Sequence, residues 1–96
     1  MITIIHGPLA SGKTFHRVAF AAHYGCTHVV EEWDPKKHEL PDDGRLCLTL
    51  ACPEDIANAI RLDRPEVHVR VVSIYSARVA IGVPEFGPSL SERLAR

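Results

Sequence analysis

Ninety-six residues make one domain, enough chain for a modest core and too little for a second domain. Apolar residues make up 46% and charged residues 24%, with a formal net charge of −1. That balance gives no basic surface for nucleic acid, and no run approaches the ~18 apolar residues of a membrane span.

The three cysteines are an odd number and unclustered, which argues against a disulfide scaffold and for a reducing, cytoplasmic compartment. The chain also opens without the basic region and long apolar stretch of a secretory signal.

Met1 to His6 is a short run rich in β-branched residues and reads as a first strand. Directly after it, Gly7-Pro8-Leu9-Ala10-Ser11-Gly12-Lys13-Thr14 reads G-x-x-x-x-G-K-T. Glycines at this spacing let the backbone curl so that successive N–H groups converge on one anion. The Lys13 ammonium would reach the β- and γ-phosphates, and the Thr14 hydroxyl would enter a Mg²⁺ shell. A helix over about 13–24 is expected to add its positive dipole end, with Lys13 at an exposed helix position. Phe15, Val18, Ala19 and Ala22 form its apolar stripe, and Gly25 provides a left-handed C-terminal cap. Thr27 to Glu31 reads as a second strand. Strand, helix and strand at this spacing make a βαβ unit with a parallel pair.

Trp33 to Gly44 carries turn chemistry throughout and reads as an exposed loop, of a length that tends to be functional or mobile. Arg45 to Leu50 is apolar enough for a central strand. Pro53 is placed as the first residue of a second helix, with Glu54 and Asp55 in its first turn and Ile56, Ala59 and Ile60 turned inward. Asp63-Arg64-Pro65 ends it. Glu66 to Tyr75 is strongly strand-like, with Val67, Val69 and Val71 on one face. Ala77 to Val83 reads as a further strand, paired back as an antiparallel hairpin. Pro84 to Pro88 is irregular, and Ser89-Leu90-Ser91-Glu92 is a capping-box pattern that opens a short terminal helix. The expected fold is therefore α/β. A small, mostly parallel sheet of four to five strands carries a glycine loop after its first strand and two main helices, within a compact domain over 1–88. Residues 89–96 form a short helix or tail.

Val29-Val30-Glu31-Glu32 ends an apolar strand in two carboxylates. Nucleotide hydrolysis needs one acid near the metal and a second to activate water. The segment from Ile2 to about Asp34 resembles the P-loop nucleoside triphosphatase superfamily, with Gly7, Gly12, Lys13 and Thr14 matching its Walker A motif. Val29 to Glu32 resembles a Walker B strand, which makes Glu31 the metal-side acid and Glu32 the general base, with Asp34 in reserve. The small size and the Glu-Glu-Trp-Asp-Pro run are similar to miniature P-loop proteins of phages and prophages. The resemblance covers about a third of the chain. It implies a nucleoside triphosphate, ATP or GTP, with Mg²⁺. The third strand ends Thr49-Leu50-Ala51-Cys52 without an acid, a departure from fuller members; Thr49 is a candidate polar sensor or an ordinary strand threonine.

The spacings of Cys26, His28, Cys47 and Cys52 do not match established zinc motifs. Trp33 reads as a half-buried anchor of the 33–44 loop or a stacking surface for a base. Arg45, Arg70 and Arg78 are candidates for a charge-stabilising arginine, supplied in trans if the chain assembles. Three functional classes follow: slow triphosphate hydrolysis, phosphoryl transfer to an acceptor under the 33–44 loop, and a non-catalytic phosphate-binding interaction module. The shortage of helices for the sheet predicts a homo-oligomer.

Overall fold

In a computed structural model that describes residues 1–8 and 11–83, the β-branched opening forms β1 (Ile2–His6). It is followed by α1 (Arg17–His23), β2 (His28–Val30), β3 (Arg45–Thr49), α2 (Pro53–Asp63), β4 (Val69–Ser73) and α3 (Ile74–Ala80). The four strands pair in parallel in the order β2-β3-β1-β4. Ile4 lies level with Cys47 on one side and Val71 on the other. The fold is α/β, as the strand–helix alternation predicts.

Alternation of side chains along each strand divides the core in two. Ile2, Ile4 and Cys47 turn to the face covered by α2, where Ile56, Trp33 and Leu40 join them. Ile5, Leu46 and Leu48 turn to the other face, against Phe20 of α1 and Ile74 and Ala77 of α3. Each large aliphatic or aromatic side chain withdrawn fully from water contributes roughly 1.5–3 kcal/mol. β1 and β3, the two inner strands, supply most of these residues, and so hold whatever is attached to their ends.

The helix after the glycine loop differs from its expected form. The segment 13–16 is a turn, with the His16 N–H on the Gly12 carbonyl at 3.0 Å, and regular helix begins only at Arg17. Phe15 and Val18 are 74% and 73% exposed, so the predicted stripe faces away from the sheet. The inward residues are Phe20, Ala21 and Tyr24, with His16 half-buried one turn earlier. The bulky Phe20 wins the sheet face because it fills far more of the space beside Leu46 and Leu48 than an alanine would. The C-terminal cap is of the expected type: Gly25 has φ 69°, and the Cys26 N–H reaches back to the Ala21 carbonyl at 2.8 Å.

The second helix follows its sequence signals, with Pro53 in its first turn, Glu54 and Asp55 beside it and Ile56 buried. The C-terminal hairpin does not form. Residues Ile74 to Ala80 are helical, so β4 is an edge strand without an antiparallel partner among the described residues. Ser73 ends β4 and starts the helix, its Oγ accepting the Ser76 N–H at 3.1 Å. Ile74, Ala77, Arg78 and Ile81 lie at i, i+3, i+4 and i+7 and turn inward, a helical period that outweighs the β-propensity of Ile, Tyr and Val.

The 33–44 loop is tied down rather than merely exposed. Trp33 and Leu40 are buried in the core. The indole N–H donates to the Glu39 carbonyl at 3.0 Å, the Leu40 N–H to Asp63 Oδ2 at 2.8 Å, and Arg64 Nη2 to the Leu40 carbonyl at 2.7 Å. The irregular stretch expected over 84–88 and the terminal helix or tail over 89–96 lie outside the described residues. No helix among the described residues is long and apolar enough to cross a membrane.

Candidate functional site

β1 sends its connection through α1 to one face of the sheet, whereas neighbouring β3 sends its own through α2 to the other. The two chains part at the carboxyl ends of these strands and leave a crevice there, the usual ligand position in open parallel sheets. The glycine loop leaves β1 at this point, and the Thr49-Leu50 corner leaves β3.

The loop is anchored on both flanks. The Gly7 N–H extends the β1–β3 ladder to the Thr49 carbonyl at 3.2 Å. On the other flank Ile74, the first residue of α3, presses against Gly7 so closely that a Cβ there would lie 2.4 Å from its Cγ2. Gly12 has φ 93°, a conformation that other residues adopt only with strain. Among the described residues, the N–H groups of Ser11, Gly12, Lys13 and Thr14 find no backbone carbonyl partner.

Lys13 is not at the exposed position expected for it. It is 9% exposed and folded back into the loop, with Nζ 2.7 Å from the carbonyls of Gly7 and Pro8 and 3.2 Å from Ser11 Oγ. Ser11 Oγ in turn donates to the Pro8 carbonyl at 2.7 Å. Thr14 beside it is exposed. Leu9 and Ala10 lie outside the described residues.

A cavity of about 640 Å³ opens beside Ser11–Phe15. Trp33, Leu48 and Leu50 give it apolar walls, and Glu32, Asp34 and Asp55 bring carboxylates to it. Glu32 reaches the cavity through a left-handed backbone, φ 55°. For a residue with a Cβ this conformation costs roughly 1–2 kcal/mol, and such outliers gather at functional sites. Glu31, one residue earlier, is exposed and does not line the cavity. The two carboxylates at the end of β2 are therefore separated by the structure, and Glu32 is the one that lines the cavity Thr14 also lines. β2 is not the immediate neighbour of β1; β3 lies between them, which puts Thr49 between the glycine loop and the acids. Thr49 is buried, with its Oγ1 accepting the Ala51 N–H at 3.1 Å.

No three His, Cys, Asp or Glu side chains gather for a metal ion among the described residues. Mg²⁺ is ordinarily held by one or two side chains plus waters and substrate phosphates, so Thr14 with one carboxylate at the cavity is compatible with it. Cys47 is buried at the sheet centre, its thiol pushed up to about 12 by burial and by Cys26, and Cys52 is exposed.

His6 ends β1 under the loop. Burial, and then the charge of Lys13, hold its pKa below the ordinary 6.5; burial likewise holds Lys13 below 10.5. A histidine kept neutral by the fold binds fewer protons than in the unfolded chain. Stability is thus lost as pH falls below about 6.5, until the folded-state value is passed. Replacing His6 with glutamine is expected to flatten this part of the acid limb in thermal denaturation between about pH 7 and pH 5. An unchanged limb would show that His6 does not carry it.

Two contributors were not placed by the sequence: Ile74, which seats against Gly7, and Arg78, whose Nη1 donates to the Ser11 carbonyl at 3.0 Å. Within the single chain, Arg78 is bonded to the glycine loop that carries Ser11. Arg70 lies over the Tyr24 ring, 4.9 Å from its centroid. No protein-family model, no curated protein and no solved structure matches the chain.

Proposed function

We propose that the chain is a minimal P-loop protein that binds a purine nucleoside triphosphate, ATP favoured over GTP, together with Mg²⁺, and hydrolyses it slowly. The reading rests on one observation above the others. At the carboxyl end of the sheet, the G-x-x-x-x-G-K-T segment combines backbone N–H groups that bond no carbonyl among the described residues with a buried lysine ammonium held there by neutral oxygens. That combination suits a polyphosphate far better than a neutral ligand.

On this reading the loop N–H groups surround the β-phosphate, and Lys13 exchanges the Gly7 and Pro8 carbonyls for β- and γ-phosphate oxygens. When bound, Mg²⁺ neutralises charge on the same phosphates. Thr14 would hold it from the loop, with Glu31 as the acidic partner through water. Glu32, aimed at the cavity, orients a water for in-line attack and takes its proton. Calorimetric titration with ATP, GTP and a non-hydrolysable analogue, with and without Mg²⁺, tests the reading; absence of binding by all three would sink it.

The acids can be separated. Glu32→Gln should keep nucleotide binding and lose at least tenfold in turnover, because a base is removed and the phosphate cradle is not. Glu31→Gln should instead weaken the dependence of turnover on Mg²⁺, because it removes the metal-side acid. Turnover of both variants equal to wild type would identify the pair as a solvated strand end.

A second reading is favoured by the cavity itself. A volume of about 640 Å³ with Trp33, Leu48 and Leu50 in its walls lies in the range that accommodates an organic molecule and exceeds the needs of a single water. Phosphoryl transfer to a small acceptor with an apolar body would use the same loop. Phosphate release from ATP alone supports the hydrolase, and consumption of ATP only in the presence of an acceptor supports the transferase. Tight binding with neither supports an interaction module.

A further inference from the structure

Arg78 is 7% exposed, yet its charge has no acidic partner among the described residues. Its Nη1 is on the Ser11 carbonyl at 3.0 Å, and its Nε is buried without a hydrogen-bond partner. The ring of Tyr75, 5.2 Å from Cζ, gives only the partial compensation of a cation–π contact. Lys13 is on the same loop, also buried and also bonded only to neutral oxygens. Two cations are thus withdrawn from water against one short loop, and no carboxylate among the described residues pairs with either. Burying charge in this way is unfavourable unless a counter-charge arrives.

The position of Arg78 has a second consequence. A peptide group is planar and trans, so its C=O and N–H point in opposite directions. A guanidinium holding the Ser11 carbonyl from the α3 side therefore fixes the Gly12 N–H, the other end of the same peptide, on the opposite side.

We propose that Arg78 is a positioning residue of an anion site, acting in cis: it orients the Ser11–Gly12 peptide toward a bound polyphosphate and supplies a second buried positive charge that the polyphosphate balances. This rests on the triphosphate reading of the loop. It differs from a scaffold role in its cost, because a cation kept for its ligand lowers the stability of the empty protein.

The test uses the full chain and two probes, inorganic triphosphate and Mg-ATP. Arg78→Met keeps most of the side-chain volume and removes the charge; Arg78→Lys restores a charge and a donor. Arg78→Met is expected to bind both probes about tenfold more weakly, with a ligand-free melting temperature equal to or above that of wild type. Arg78→Lys is expected to regain most of the affinity. A methionine variant that binds as wild type does, or that melts lower or fails to fold without ligand, overturns the proposal, as does a lysine variant no better than the methionine one. A wild-type protein that binds neither probe overturns the triphosphate reading and this inference with it. That result is distinct from a wild type that binds and a variant that binds equally well.

Discussion

Lys13→Ala is expected to weaken triphosphate binding at least tenfold, about 1.4 kcal/mol or more, while changing the stability of the empty protein by about 1 kcal/mol or less. The two halves of this expectation come from the same geometry. The ammonium makes three hydrogen bonds to loop oxygens, and charged hydrogen bonds of this kind are individually favourable. Burial nevertheless holds the Lys13 pKa below its ordinary value, so the folded protein disfavours the charged form relative to water. Removing the ammonium loses the hydrogen bonds and the desolvation penalty together, and the two largely cancel. No such cancellation operates toward a polyphosphate, whose charge the alanine variant leaves unmatched. Isothermal titration and thermal denaturation of one preparation measure both quantities. Unchanged affinity in a folded Lys13→Ala protein would rule out the nucleotide reading.

Gly7→Ala is the substitution expected to damage the fold most. The new methyl would meet Ile74 Cγ2 at 2.4 Å and Cβ at 2.8 Å. Neither atom is the yielding end of a long side chain: Ile74 is β-branched, fully buried and the first residue of α3. Relief requires α3 or the loop to move. Overpacking of this kind typically costs about 1–3 kcal/mol, and in a domain of this size each kcal/mol lowers the melting temperature by roughly 4–8 °C. The same movement would shift Arg78 against Ser11, so the affinity for triphosphate should fall with the stability. A Gly7→Ala protein that melts with wild type would show that the α3 contact yields readily.

Elements whose signals are local were legible in the sequence. Pro53, Glu54 and Asp55 mark the start of α2 whatever lies around it, and Gly25 marks the end of α1. The βαβ order of the first thirty residues requires only the alternation of β-branched and helical segments. The glycine loop could be found because its pattern is contained in eight consecutive residues.

Misreadings arose where packing decides. α1 offered two faces, one of small and scattered apolar residues and one built on Phe20, and only the space beside Leu46 and Leu48 selects between them. In 74–81 the residue types favour a strand while the spacing of Ile74, Ala77, Arg78 and Ile81 favours a helix; the Ser73 cap fits the second. Arg78 and Ser11 are 67 positions apart, and nothing local in either residue announces the other. For the acids, two consecutive glutamates at a strand end look equivalent in sequence, and the left-handed turn at Glu32 makes them different.

The chain contains one tryptophan. Its indole is 3% exposed, belongs to the core on the α2 face and also lines the cavity beside the glycine loop. A single fluorophore therefore stands at the boundary between the folded interior and the space a ligand would enter. Its emission will move to longer wavelength when water reaches the core on unfolding. Occupancy of the cavity would change the polarity beside the ring without exposing it to bulk water. The protein thus carries an intrinsic optical signal in which melting and filling have different signatures, and no added label is needed to separate them.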